Sequence, residues 1–500
     1  MALVEFAHLN GITATRMLKR KEQKSLGQFM TPPDAARYMA KRCLPSERLP
    51  IVRILDPAAG CGILTAAVVE CLLNQTGLPE QIHVMLYEVD ERLIPTLRKL
   101  AERIRRSARK QGVTVKISIR NCDFLLSPVA TMRQPIADII IANPPYFKLN
   151  ATDPRALAHA YAVYGQPNIY GLFMAVCAGL LAPSGRWCFI TPRSWTNGLY
   201  FAAMRRHLFC WLHIDAIHIF ESRRDHFTNA EILQEAMITW ATAQAQPNAE
   251  VIVSSSEGSH DLAQSRLLRL PLNQVIGQDD EQMIALPVDT SILGSAQWNA
   301  VLSTYGLKVS TGPVVAFRAR QHILKAASTN SVPLLWMQHI NHMRISWPIN
   351  KKREHISSNG ETAWMLVPNK NLVVMRRFSP KEDSRRITAA PYLAGTLPAT
   401  ALGLENHTNY IYRPGGELSD EEAKGLAAFL NSHIVDKYFQ TSAGNTQVNA
   451  TDLRKLPLPP LDLLVDIGRA VPVGASLAVI DSVVDSILDA RQLQCTATAN

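Results

Sequence analysis

The sequence predicts an α/β protein: a mixed, mostly parallel sheet covered on both faces by helices, followed by a smaller α+β unit. Three observations carry this. Between about residues 50 and 240, short apolar runs alternate with helix-length segments. The runs are apolar at consecutive positions, as strands buried on both faces are. Past residue 300 the texture changes to short strand-like runs, many Pro and Asn, and few long helices.

Val52–Leu55 is the first strand and runs into Asp56-Pro57-Ala58-Ala59-Gly60-Cys61-Gly62; Ile63 to Leu73 then reads as a helix. His83–Tyr87 is the next strand, followed by Glu88-Val89-Asp90. Over 91–110 a helix is expected, with Leu93, Leu97, Leu100 and Ile104 on one face and Arg98, Arg103, Arg105, Arg106 and Arg109 on the other. Val115–Ile119 leads to Asn121-Cys122-Asp123, and Ala137–Ala142 to Asn143-Pro144-Pro145-Tyr146. Ligands of open parallel sheets bind at the carboxyl ends of the strands. These four clusters are therefore expected on one rim. Ser254 to Ser259 reads as loop, and one clear helix starts at the capping box Ser419-Asp420-Glu421-Glu422, with Leu426, Phe429, Leu430 and Ile434 on its apolar face.

The chain has 500 residues, of which 47% are hydrophobic and 19% charged, so enough apolar side chains are present to exclude disorder as the dominant state. A net charge of +10 favours a polyanionic partner. Eight cysteines without a CxxC pair give neither a zinc site nor a disulfide framework, and suggest reduced thiols in a cytoplasmic protein. Leu172 to Ala182 is the longest apolar run, well short of the ~20 residues a membrane span needs.

Gly60-x-Gly62 lacks the third glycine of the dinucleotide fingerprint, so it points to a nucleotide only weakly by itself. Glu88, at the end of the next strand, strengthens it, because a carboxylate there can accept from both hydroxyls of a ribose. Asp123 offers a further acceptor, suited to an adenine amino group; its plainer alternative is a turn cap. The Asn143-Pro144-Pro145-Tyr146 turn is the sharpest signal. Its prolines stiffen the turn, so that the Asn143 amide oxygen and the Pro144 carbonyl can converge on one NH2 group. Tyr146 adds a flat face for a base. The plainer alternative is an Asn-Pro turn beside a core tyrosine.

Together these residues resemble the amino-directed, S-adenosylmethionine-dependent DNA methyltransferases in their gamma motif order. Gly27-Gln28-Phe29-Met30-Thr31-Pro32 resembles the family's N-terminal cofactor motif. Phe189-Ile190-Thr191-Pro192-Arg193-Ser194-Trp195 and the stretch Phe220 to Trp240 are similar to the PstI/BsuBI-type modification methylases. The resemblance implies a Rossmann-like methyltransferase domain and a C-terminal target recognition domain. It implies cofactor contacts at Gln28, Thr31, Asp56, Pro57, Ala58, Gly60, Gly62, Glu88, Asp123 and Asn143. Catalysis would rest on Asn143, Pro144 and Tyr146, with Phe227 stacking on the target base (Phe220 is the runner-up). No metal is implied. The expected division is an N-terminal extension 1–20, a catalytic domain 21–255, a linker 256–299, a recognition domain 300–460 and a helical tail 461–500.

Residues 344–386 hold ten Lys and Arg against four acids, a local +6. That suggests phosphate contact by Arg344, Lys351, Lys352, Arg376 and Arg377; the plainer reading is a solvated basic face. The implied activity is transfer of a methyl group from S-adenosylmethionine to adenine N6 in a short duplex site such as CTGCAG, by a monomer. A separate restriction endonuclease would be its counterpart, since no nuclease site is evident. Other members of the comparison are N4-cytosine or protein-glutamine methylation, or an inactive DNA-binding relative. Asn rather than Ser at 143 favours adenine.

Overall fold

The computed structural model describes residues 1–15, 30–132, 134–220, 236–243, 250–277, 280, 282–284, 286, 298, 300–350, 353–378, 383–442 and 448–497. The chain forms two units, Met1–Val288 and Asp289–Asn500.

The first unit is built on a nine-stranded sheet of order β3-β2-β1-β4-β5-β7-β6-β8-β9. Strands β1 (Ile51–Asp56), β2 (Gln81–Tyr87), β3 (Thr114–Arg120), β4 (Ala137–Ala142) and β5 (Leu181–Pro192) run parallel. The strand β7 (Ala236–Thr242) is wedged antiparallel between β5 and β6 (His213–Phe220). Beyond β6 lie β8 (Glu250–Ser256), parallel to it, and β9 (Arg266–Pro271), antiparallel to β8.

Alternate residues of each strand feed two cores. Leu55, Ile140 and Phe189 pack on one face with the helices α5 (Ile169–Ala178) and α6 (Ala202–Trp211). Ile54, Ile139, Ile141 and Cys188 pack on the other with α1 (Leu3–Thr15), α2 (Pro33–Lys41), α3 (Ile63–Leu73) and α4 (Ile94–Arg109). All six residues of β4 are buried, as befits a central strand, whereas the edge strand β3 alternates exposed and half-buried residues. Covering both faces and ending the parallel strands on one side leaves their carboxyl rim as the open edge.

Three boundaries differ from the sequence-based expectation. Of the expected N-terminal extension 1–20, the described residues 1–15 do not stand outside the first unit: Leu3, Val4 and Ala7 of α1 are core residues, and the Leu3 amide donates to Glu70 Oε2 at 2.7 Å. The expected linker 256–299 contains β9, hydrogen-bonded along β8; its Arg266-Leu267-Leu268-Arg269-Leu270-Pro271 sequence has no clean alternation because it is an exposed edge. The expected tail, 461–500, supplies residues to the second unit's core. Leu464 and Ile467 of α8 (Leu461–Ala470) and Ile480 and Val484 of α9 (Leu477–Ala497) are buried with Phe429 of α7 (Asp420–Asn431). At the α7–α8 crossing, a Cβ on Gly425 would sit 1.7 Å from the Leu464 carbonyl oxygen, so only glycine admits this approach.

The second unit is α+β, as expected. A four-stranded antiparallel sheet (Lys308–Thr311, Thr408–Tyr412, Leu372–Arg376, Ala389–Tyr392) backs onto α7, and a mixed five-stranded sheet lies beside it. The capping box of α7 is formed, with Ser419 Oγ accepting from the Glu422 amide at 3.1 Å and Glu422 Oε2 from the Ser419 amide at 2.7 Å. Among the described residues, no helix is long and apolar enough to cross a membrane.

Candidate active site at the strand rim

The turn after β1 is shaped by its glycines. Gly60 and Gly62 have φ of +55° and +79°, and Gly62 caps α3 in the left-handed conformation. A Cβ at Gly60 would meet nothing within 4 Å, so this part of the loop faces open space. At Gly62 a Cβ would instead lie 2.5 Å from Leu100 Cδ2. Gly62→Ala is therefore expected to combine backbone strain with overpacking. Unfolding free energy should fall by about 2–4 kcal/mol, read from the urea midpoint.

Glu88, directly after β2, staples two loops. Its Oε2 accepts from the Gly60 amide at 2.7 Å and its Oε1 from the Asp90 amide at 2.8 Å. Burial raises its pKa, and these amide bonds oppose the rise. Asn121 supports the same turn through Nδ2, which donates to the Glu88 carbonyl at 2.8 Å. The structural weight of Asn121 escaped the sequence reading, although it lies in a rim cluster.

Asp56 ends β1 with 1% exposure. Oδ2 accepts from Thr65 Oγ1 at 3.0 Å, and Oδ1 is buried with no hydrogen-bond partner among the described residues. Burial pushes its pKa up to about 7, against the pull of its hydrogen bonds. The folded state then holds a proton that the unfolded state releases near pH 4. Stability from this proton is complete at low pH and is lost as pH rises towards 7, by about 1.4 kcal/mol per unit. Asp56→Asn removes the titration. Between pH 5 and 8 the parent should lose about 2–3 kcal/mol relative to the variant in urea unfolding; parallel pH curves for the two proteins would contradict it.

At the end of β4, Asn143 Nδ2 donates to Thr31 Oγ1 at 3.0 Å, tying the turn to a segment 112 residues earlier. The Tyr146 hydroxyl donates to Asn143 Oδ1 at 2.6 Å and has the Ile190 carbonyl of β5 as a second acceptor at 3.0 Å. The Tyr146 ring meets Tyr170 edge-on, with centroids 6.0 Å apart, and the Tyr170 hydroxyl pairs with Ser194 Oγ at 2.6 Å. Thr31, Asn143, Tyr146 and the β5 end thus form one hydrogen-bonded group.

Asp123 takes up the plainer role: Oδ1 caps the turn after β3 by accepting from the Leu125 amide at 2.9 Å, while Oδ2 lies 3.6 Å from Arg155 Nη1. Phe220 is 1% exposed and packs edge-on against His218, so it cannot offer a face to a base. Gln28, Phe227, Lys351 and Lys352 lie outside the described residues. In the second unit Arg344 is exposed. The Arg376 guanidinium, expected to be free for phosphate, instead donates to the Ile340 carbonyl at 2.7 Å and Asn341 Oδ1 at 3.2 Å and lies 3.7 Å from Asp383. Arg377 reaches the Asn406 carbonyl at 3.4 Å, and Arg385 pairs with Asp481. Among the described residues no group of His, Cys, Asp and Glu could hold a metal ion.

Comparison with known proteins bears on this geometry. The family model described as Eco57I restriction-modification methylase matches residues 121–227. The chain is 32% identical over 486 residues to the type II methyltransferase M.BsuBI of Bacillus subtilis, covering 94% of each chain. It is 33% identical over 475 residues to the type II methyltransferase M.PstI of Providencia stuartii, covering 92% of each. Among solved structures, the type IIL restriction-modification enzyme MmeI in complex with DNA aligns with a TM-score of 0.54 at 12% identity, over 96% of this chain and 78% of that one.

Proposed function

The chain belongs to the type II methyltransferases of restriction–modification systems, and from that premise we propose that it transfers a methyl group to the N6 amino group of adenine in duplex DNA. Its first unit has the Rossmann-like methyltransferase fold and its second is α+β. The observation that carries the finer reading is the grouping of Asn143, Thr31 and Tyr146 at the end of β4.

S-adenosylmethionine, when bound, supplies an electrophilic methyl group on a sulfonium. The residues present fit it: the unpartnered Asp56 Oδ1, the open space over Gly60 and the buried Glu88 carboxylate all lie in turns at the carboxyl rim. Glu88 would accept from the ribose hydroxyls, with Pro57, Ala58, Gly60 and Gly62 shaping the loop, Asp123 beside the adenine, and Gln28 and Thr31 near the methionine end.

Adenine N6 is a poor nucleophile, because its lone pair is delocalised into the ring. Asn143 Oδ1 and the Pro144 carbonyl, accepting its two hydrogens, would turn that lone pair out of conjugation. These acceptors stabilise the charge that develops on the nitrogen, with no metal and no covalent enzyme intermediate. The base must leave the duplex to reach them, at a cost of a few kcal/mol, offset in part by stacking on Tyr146 and Phe227. Contacts to the DNA backbone from the second unit, Arg344, Lys351, Lys352 and Arg377 among them, would hold the duplex. Arg376 would act by bracing that surface. The protein would work as a monomer, protecting DNA against a separate endonuclease.

The test is labelled methyl transfer to duplex DNA, RNA and protein, followed by sequencing of modified bases, beginning with CTGCAG sites. N6-methyladenine at one short sequence is the expected product. Methylation only of cytosine or of a protein amide, or no transfer to any duplex, refutes the reading.

A further inference from the structure

The chain's positive charge is concentrated away from the segment expected to meet DNA. Residues 92–120 carry ten Lys and Arg and a single acid, Glu102, a net of +9 against +10 for the whole chain. With the +6 of residues 344–386 also set aside, the remaining 428 residues sum to −5. Several cations of 344–386 are engaged by neighbouring groups, as described above; of those in 92–120, Arg92 pairs with Asp90 and Arg103 donates to the Met1 carbonyl at 2.7 Å.

The fold turns this charge outward. Helix α4 buries Leu97, Leu100, Ala101 and Ile104 and presents Arg98, Lys99, Arg105, Arg106 and Arg109 to solvent. None of these five pairs with a carboxylate among the described residues. Arg105 bridges from the helix to the edge strand, donating to the Ile117 carbonyl at 3.3 Å, and the exposed Lys116 and Arg120 of β3 extend the surface around that edge. Because α4 runs antiparallel to the strands it connects, Arg106 and Arg109 lie at the end of the sheet opposite the rim. That end of the surface is therefore remote from the candidate site, whereas Arg120, the last residue of β3, stands at the rim.

An ordinary solvated helix intersperses acids among its cations, since like charges at i,i+4 destabilise it. Here Arg105 and Arg109 stand at that spacing, and neither pairs with a carboxylate among the described residues; Glu102 is the single acid of the helix. We propose that this face is a second, sequence-independent binding surface for the DNA phosphate backbone, engaging duplex outside the segment held at the active site. This rests on the reading of the protein as a DNA methyltransferase.

The composition of the face favours nucleic acid over an acidic protein. Protein interfaces have apolar and aromatic centres, and no large hydrophobic residue of 92–120 is exposed. Interfaces with DNA are polar and strongly positive. The 16 residues of α4 extend about 24 Å, the length of about seven phosphates along one strand. Such a surface would hold the enzyme on long DNA between encounters with its site.

The test uses the full chain with Arg98, Lys99, Arg106 and Arg109 replaced by Gln, which keeps helix propensity; an unchanged melting temperature verifies folding. Two readouts are taken: binding to duplex lacking the site as a function of salt, and kcat/KM on a long fragment compared with a short duplex, each bearing one site. In the variant the slope of log affinity on log salt should flatten by about three to four. The advantage of the long fragment should disappear while the short-duplex rate stays at the parental level. An unchanged slope, or a long-fragment advantage equal to the parent's, overturns the proposal. If the parent methylates no duplex, the methyltransferase reading fails instead, and the salt slope still decides the basic face by itself.

Discussion

Asn143→Ala should stop methyl transfer almost completely, lowering the rate by about 10³-fold, the scale on which a preorganised transition-state contact is lost. In the proposed mechanism Oδ1 accepts from the amino group, and alanine would leave no side-chain oxygen at this position to turn that nitrogen's lone pair out of its ring. The substitution also removes the 3.0 Å link to Thr31, which positions the turn from a distant segment. The cofactor should still bind within about tenfold of the parent, because the Glu88 staple and the Gly60 turn are untouched. Single-turnover kinetics with equilibrium dialysis separates the two effects. A variant that turns over at a near-parental rate would remove Asn143 from the mechanism.

Glu88→Ala has the second largest expected effect, and on the opposite quantity. Both carboxylate oxygens of Glu88 hold loop amides, at 2.7 Å from Gly60 and 2.8 Å from Asp90. Truncation unpairs both amides and removes the acceptor offered to a ribose. At roughly 1.5–3 kcal/mol for each hydrogen bond to a charged group, cofactor affinity should fall by at least about 100-fold. KM for S-adenosylmethionine rises, while kcat at saturation changes far less. Because burial raises the Glu88 pKa, affinity should weaken with acid at a higher pH than for an ordinary glutamate. An equal loss in kcat and kcat/KM, with affinity preserved, would contradict a binding role.

The rim was legible in the sequence because each of its clusters directly follows a strand whose apolar run is hard to mistake. Ile54, Ile140 and their neighbours announce buried parallel strands, and the turn after each then has a known side of the sheet. The long-range bonds were not legible. Nothing local in the sequence links Thr31 to Asn143, or Tyr146 to the carbonyl of Ile190. Exposed edges were also missed: β9 carries no alternation, and α1 has no polar face distinct enough to show that Leu3 and Val4 are core. Counting charge along 344–386 could not reveal that Arg376 and Arg385 are engaged within their own unit. The arginine face expected of the helix over 91–110 is exposed apart from the half-buried Arg103, because α4 packs its apolar stripe inward.

The hydroxyl of Tyr146 has one hydrogen and two oxygens in reach of it, on Asn143 and on Ile190. When another donor takes the first oxygen, that hydrogen can swing to the second and remain bonded. Admission then requires only a trade between two comparable resting places. The oxygen on Asn143 can thus pass to another donor while the phenol keeps an acceptor for its own hydrogen.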